Sequence, residues 1–355
     1  MCNLTVEKLM EKAKCCYEQP KITQICNEND WNSIDSNNVE SLLISHDYAG
    51  IIPDFSKFSK LKKLHISKNI SLSEFEKMDL SSIEDLYVVF EKKEPIIQFN
   101  LSKLKKLEIY ITNNDDDQLS LFNASEAIID IKGCVALEEL YLRHCTGFEI
   151  KCDTLYNLNK LVCCDYNYFI FEILNHTPNL VHLVATECRL NNIDFLDSTP
   201  NITYLDLTFN DIQEADKVLK LSNLQALHIY RNPLIDVEKY KSLPYRTFVT
   251  EKDREFLMFV HSISSSVVSA YSMLMAARKP DPKRKAYLQH IYDNQTDEQI
   301  FTRYLASGIK HNIEYHTSNE KNWRKNILLT PEELVEYVLQ EYPFLSEFFE
   351  VKTEE

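Results

Sequence analysis

Apolar residues return along this chain with a fixed three-position signature. With the first of them at position p, apolar side chains recur at p+3 and p+5, and mostly polar or aromatic residues fill the places between. The signature reads VESLLI from Val39, LKKLHI from Leu61, IEDLYV from Ile83, LKKLEI from Leu104 and LEELYL from Leu137. It continues as LNKLVC from Leu158, LVHLVA from Leu180, ITYLDL from Ile202 and LQALHI from Leu224. Successive starts are 22, 22, 21, 33, 21, 22, 22 and 22 residues apart. Alternation between p+3 and p+5 is the pattern of a strand with one buried face. A period near 22 is that of an array whose units bury their open edges on one another. The spacing predicts nine strands, with p+3 and p+5 in a shared core and p+2, p+4 and p+6 on the opposite, concave face.

The periodicity outside the array is helical. TVEKLMEKAKCCYEQ carries Val6, Leu9 and Met10 at helical spacing and is expected to cap the N-terminal end of the array. Residues 256–277 have no Asp, Glu, Lys or Arg, a length that satisfies a transmembrane helix. Six serines and His261 within that stretch favour the buried helix of a soluble domain instead. TDEQIFTRYLASGIKHNI places Ile300, Tyr304, Leu305 and Ile309 on one helical face. Thr330-Pro331-Glu332-Glu333 supplies an N-cap, a proline at the first helical position and a capping-box glutamate, and Pro343 is expected to kink or end the helix that follows.

The array resembles the leucine-rich-repeat family, whose pattern is L-x-x-L-x-L-x-x-N/C-x-L. The Asn/Cys position, p+8, holds Asn69, Asn210 and Asn232 in three repeats and Cys145 and Cys188 in two. It departs to Asp47, Glu91, Thr112 and Tyr166 in the other four. An Asn amide there can donate to and accept from the backbone where a strand turns away; Asn69 is expected to be buried in that role. The repeat length is similar to that of the short class typified by the leucine-rich-repeat regulator of protein phosphatase 1. Asn232-Pro233-Leu234, Tyr245-Arg246 and the apolar run behind them resemble the cap that closes such arrays, without its usual Leu-Asp. The resemblance implies an α/β curved leucine-rich-repeat solenoid with a parallel sheet on the concave face, followed by an all-α region. The expected boundaries are 1–38 for the cap, 39–250 for the repeats and 251–355 for the helices.

The concave columns can then be written out. Tyr87, Glu108, Tyr141, Asp206 and His228 fall at p+4, and Tyr110, Arg143, Cys164 and Tyr230 at p+6. Lys63, Lys106, Lys160, His182 and Tyr204 fall at p+2, and Phe90, Phe209 and Arg231 at p+7. Tyr and Arg combine large contact area with a polar end and are enriched at interface hot spots. Tyr is also common in strands, where it pairs with its lateral neighbours. Taken as a group, Tyr87, Phe90, Tyr110, Tyr141, Arg143, Tyr204, Asp206, Phe209, Tyr230 and Arg231 are the candidate partner-binding residues.

Composition narrows the chemistry. The chain has 355 residues, 39 Lys+Arg against 54 Asp+Glu and a formal net charge of −15. That balance argues against non-specific nucleic-acid binding, which needs clustered cations. With 4 Gly, the chain has no phosphate-cradling loop, and no G-x-S-x-G is present. The 10 Cys form no Cys-x-x-Cys pair, and several follow the repeat, so they are read as reduced thiols and not as metal ligands. No catalytic residues, cofactor or metal are expected. The run Asp115-Asp116-Asp117 reads as a solvated acidic loop, and Arg278, Lys279, Lys283, Arg284 and Lys285 as an inter-helix loop or a nuclear-import patch.

These readings lead to an expected non-enzymatic scaffold or regulatory subunit, monomeric on its own, that binds another protein on the concave face. The resemblance implies a phosphatase or other signalling enzyme as that partner. An alternative is the substrate-recognition subunit of a ubiquitin ligase, with the helices as a second docking surface, although no F-box-like start is present. The start of the chain lacks a basic segment leading into an apolar run, so a cytoplasmic protein is expected, with nuclear entry left open by the basic stretch.

Overall fold

The structure is a computed structural model that describes residues 5–17, 22–91, 96–112, 127–145, 148–164, 173–241, 243, 246–279, 294–317 and 329–349. The Asp115–Asp117 run, the p+8 residue Tyr166, and Lys283, Arg284 and Lys285 lie outside the described residues. The chain divides into two compact units, one of residues 21–249 and one of residues 1–20 with 250–355.

The first unit is built on an 11-stranded sheet whose described pairings are all parallel. Its strands are β1 (Thr23–Ile25), β2 (Ser41–Ile44), β3 (Lys63–Ile70), β4 (Asp85–Glu91), β6 (Lys106–Thr112) and β8 (Glu139–Arg143). They continue with β10 (Lys160–Cys164), β11 (His182–Thr186), β12 (Tyr204–Asp206), β13 (Ala226–His228) and β14 (Arg246–Phe248). All nine expected strands form, and each begins at p+2. The pairing joins equal repeat positions, for example Leu140 with Leu107 on one side and Leu161 on the other. The sequence pattern missed the two outermost strands, β1 and β14, because neither carries the full apolar triplet. Ile25 is fully buried, however, and extends the core column of Ile44.

The core lies on one side of this sheet. Its p+3 and p+5 side chains, such as Leu86 and Val88, Leu107 and Ile109, and Leu205 and Leu207, are essentially inaccessible to solvent. At about 25 cal/mol per Å² of apolar surface removed from water, these columns are the main favourable term holding the unit together. The segments that close the far side of the core are mostly short 3₁₀ turns, including Phe55–Lys57, Asp194–Asp197 and Asp216–Lys220. In the middle repeats a second, three-stranded parallel sheet takes their place, made of β5 (Ile96–Gln98), β7 (Ala127–Asp130) and β9 (Phe148–Lys151). The 33-residue interval falls between β6 and β8 and leaves their register intact. This unit is an α/β leucine-rich-repeat solenoid, and an all-α region follows it.

The p+8 position divides the repeats. Asn210 Oδ1 accepts from the N–H groups of Cys188 and Leu190, both at 3.0 Å, while Nδ2 donates to the carbonyls of Ala185 (2.7 Å) and Leu207 (2.8 Å). Asn232 repeats this one coil later, accepting from Ile212 N and donating to Leu207 O and Ile229 O. The Cys188 and Cys145 thiols donate in the same way to Cys163 O and Ile109 O. Each of these four repeats has a left-handed residue at p+7, namely His144, Glu187, Phe209 and Arg231. Asn69, by contrast, is exposed. The register shifts between Ile66 and Asn69, β3 runs on, and Ile70 enters the core in its place.

The second unit packs helices α1 (Val6–Tyr17), α3 (Glu251–Arg278), α4 (Asp297–Thr317) and α5 (Pro331–Glu341) around one core; α2 (Glu28–Ser33) lies in the repeat unit. The N-terminal helix therefore does not belong with the array. Leu9 and Ala13 are buried among Phe259, Ile263 and Val267 of α3 and the apolar face of α4. The two-strand start at β1 and β2 heads the sheet instead. Ile300, Leu305 and Ile309 are buried as expected, and α5 ends at Glu341 with Pro343 opening a 3₁₀ turn. Thr250–Asp253 and Thr330–Glu333 both form capping boxes. Residues Met258–Arg278 of α3 are long and apolar enough to cross a membrane by composition, and their buried stripe lines the helical core.

Candidate functional site

The face of the main sheet opposite the core carries the candidate residues. Strand alternation places p+2, p+4 and p+6 there. The in-register pairing stacks them into columns, so Tyr87, Glu108 and Tyr141 are direct lateral neighbours, as are Lys106, Glu139 and Lys160. Tyr87, Tyr110, Tyr141, Arg143, Tyr204, Asp206 and Phe209 are half-buried on this face, and Arg231 is exposed.

Two of the ten candidates are not accessible. Phe90 is 0 % exposed and packs edge-on against Phe75 and Phe99 in the core. The cause is the missing turn: p+8 is Glu91, β4 continues through p+7, and alternation sends Phe90 inward after Leu86 and Val88. Tyr230 is 5 % exposed, covered by the Phe209 ring at 5.7 Å and by Arg231, whose Nε donates to its hydroxyl at 2.7 Å. Val89, Val162, Ser45 and His228, expected on the open face, are also buried.

The remaining side chains form three connected groups. Toward the N-terminal strands, His65 stacks on Tyr87 with centroids 3.9 Å apart. Burial lowers the His65 pKa and raises that of the Tyr87 hydroxyl. At the centre, Arg143 Nε donates to Glu108 Oε1 at 2.7 Å, and the Tyr141 hydroxyl donates to Glu139 Oε2 at 2.6 Å. The ammonium groups of Lys106 and Lys160 lie 5.4 and 5.3 Å from the Tyr141 ring centroid, within cation–π range. Burial and the Glu139 bond push the Tyr141 pKa up, so the phenol stays protonated.

Toward the C-terminal strands, His182 lies parallel to Tyr204, with centroids 4.2 Å apart and planes within 2°. His228 Nδ1 is 3.2 Å from both the Tyr204 hydroxyl and Asp206 Oδ2. Asp206 Oδ1 is held by the Thr208 N–H. Arg231 lies over Phe209 at 5.0 Å. Lys106, Lys160 and His182 at p+2 and His65 at p+4 also fall on this face, but aromatic content alone did not select them. Their signal was lateral adjacency to a Tyr in the neighbouring repeat.

The geometry offers no reaction centre among the described residues. Cys145 and Cys163 are fully buried, which raises their thiol pKa, and burial pushes Cys134 up to about 11. They are poor nucleophiles. No group of three His, Cys, Asp or Glu among the described residues is arranged to hold a metal ion. What remains is a surface of partly exposed aromatic rings with charged groups between them.

No family model matches the chain, and no curated protein matches it. Among solved structures it is similar to an internalin of Listeria monocytogenes, at 15% identity over 68% of this chain and 88% of that one, with a TM-score of 0.29. It is also similar to a leucine-rich-repeat protein of Leptospira interrogans, at 14% identity over 62% and 70% of the two chains, with a TM-score of 0.28. The functional domain of InlJ from Listeria monocytogenes, described as including a cysteine ladder, is 17% identical over 59% of this chain and 47% of that one, with a TM-score of 0.31.

Proposed function

We propose that this protein is a non-enzymatic scaffold or regulatory subunit that binds another protein on the open face of its main sheet. The observation that carries the reading is the continuous run of partly exposed rings and charges across adjacent strands, from His65 and Tyr87 through Tyr141 to Tyr204 and Arg231. These side chains are fixed by lateral stacking and hydrogen bonds, so little conformational freedom remains to be lost on association. Polar ends on large rings suit hot-spot contacts.

The 22-residue spacing supports a likeness to the phosphatase-regulator class, and with it a phosphatase or other signalling enzyme as partner. The strands β5, β7 and β9 on the far side are a local departure from uniform repeats. Fold analogy does not by itself assign a partner. The reading takes the protein to be intracellular, with thiols such as the buried Cys145 and Cys188 kept reduced.

The test is co-purification from native lysate of the full chain beside a Tyr87→Ala, Tyr141→Ala, Tyr204→Ala variant. A partner retained by the parent and lost by the variant supports the face. A partner retained equally by both rejects it and moves binding to the helical unit or the far side of the repeats. The partner's identity then separates enzyme regulation from recruitment to a ubiquitin ligase.

A further inference from the structure

The centre of the open face has an excess of unsatisfied donors. Three adjacent strands, β6, β8 and β10, contribute Lys106, Glu108 and Tyr110; Glu139, Tyr141 and Arg143; and Lys160, Val162 and Cys164, all on one face. Both carboxylates are already engaged within the patch, Glu108 by Arg143 Nε and Glu139 by the Tyr141 hydroxyl. Glu139 stands between the two lysines in register, yet its carboxylate forms no ion pair with either. The closest carboxylate to the Lys106 ammonium is Asp85 at 3.9 Å, the loose limit of an ion pair. Lys160 has no carboxylate partner among the described residues. Arg143 uses Nε for Glu108, and its side chain is 42% exposed.

We infer that this central patch, Lys106, Tyr141, Arg143 and Lys160, binds an acidic segment of a partner polypeptide, with Asp or Glu carboxylates accepting from the two ammonium groups and the guanidinium. The inference rests on the open face being the binding surface and specifies the partner's chemistry. The charge balance supports it. The chain as a whole carries −15, whereas these three strands present three cations against two carboxylates on this face, with Asp85 of the neighbouring β4 at 3.9 Å from Lys106. The patch gathers cations on an otherwise acidic chain, and such a local balance favours an acidic segment docking there over elsewhere on the chain. The Tyr141 ring, flanked by both ammonium groups, keeps the lysine stems against the sheet.

The test measures fluorescence anisotropy of a labelled hexaglutamate peptide against the full chain, with hexalysine and a short oligothymidylate as comparison probes. Hexaglutamate is expected to bind, to weaken several-fold between about 50 and about 200 mM salt, and to lose about tenfold or more in a Lys106→Glu, Lys160→Glu variant. Lys106→Gln, Lys160→Gln should fall between, and an unchanged urea midpoint in both variants excludes unfolding as the cause. Absence of hexaglutamate binding, or binding undiminished by the charge reversal, overturns the inference. Tighter binding of oligothymidylate overturns it in favour of a nucleic acid. A co-purified partner lost in the tyrosine variant while hexaglutamate fails to bind rejects the acidic occupant and keeps the face. A partner retained by the tyrosine variant rejects the face itself.

Discussion

Repeats three and four differ from repeats eight and nine in how their strands end. In β4 and β6 the strand runs through p+7, and Phe90 and Ile111 enter the core. In the repeats of β12 and β13 the chain turns left-handed at p+7, and Phe209 and Arg231 stay on the open side while Asn210 or Asn232 bonds the backbone beneath. In these four repeats the two endings go with different residues at p+8, although an Asn there is not sufficient, since Asn69 lies on a strand that runs on through a bulge. An Asn or Cys can satisfy the backbone groups that a turn frees; Glu91 and Thr112 sit where the ladder simply continues. One repeat period therefore supports two local solutions, and only one of them projects a p+7 side chain toward a partner.

Truncating Phe90 to Ala is the strongest way to break this comparison. It removes a fully buried ring from the Phe75–Phe99 cluster and should cost about 3–5 kcal/mol. Phe209→Ala removes a half-buried ring from the same repeat position and should cost no more than about 1.5 kcal/mol. Urea unfolding measures both. Equal losses would mean that p+7 has the same role in all repeats.

Asn210→Ala comes next. Five hydrogen bonds disappear, leaving buried N–H groups of Cys188 and Leu190 without their acceptor, at a cost of about 2–4 kcal/mol. Asn69→Ala should stay within about 0.5 kcal/mol, because Asn69 is exposed. Asn69 also shows where sequence reading ran out. The apolar phase made the strands, their register and the core legible, since burial of p+3 and p+5 is a repeating demand. The p+8 motif matched equally well at Asn69 and Asn210, and only the bulge between Ile66 and Asn69 separates them. That bulge depends on Ile70 filling the core, a contact outside the repeat motif. Phe90 was misplaced for a related reason: its destination depends on Glu91 failing to turn the chain. The placement of α1 was hidden too, because an amphipathic helix does not encode which core will take its apolar stripe.

A smaller effect with the opposite sign should follow at Glu187, which holds φ 57° before Cys188. The left-handed conformation costs a β-carbon-bearing residue about 1–2 kcal/mol, and glycine returns part of that gain through unfolded-state entropy. Glu187→Gly should therefore stabilise by roughly 0.5 kcal/mol. Ile111→Gly, at the same p+7 place in an extended strand, should destabilise by more than about 3 kcal/mol. Opposite signs in thermal unfolding would confirm two backbone solutions; matching signs would deny them.

The smallest expected effect compares the two His–Tyr stacks, one in each region. Burial lowers the pKa of both His65 and His182 below the ordinary 6.5. A histidine with a depressed native pKa binds fewer protons folded than unfolded, so its contribution to stability is complete above pH 6.5 and declines as pH falls through that value. Their charged neighbours differ. Beyond burial, His65 faces Glu108 and Asp85, which favour its protonated form, with Lys106 opposing. For His182, Lys160 follows burial in disfavouring the proton, Asp206 and Glu139 favour it, and His228 opposes it. Urea midpoints at pH 7.5 and 5.5 should lie closer together in His65→Gln and in His182→Gln than in the parent. Burial against a stacked tyrosine thus makes both ends of the face acid-sensitive, and midpoints that stay as far apart in the variants as in the parent would show that neither histidine contributes.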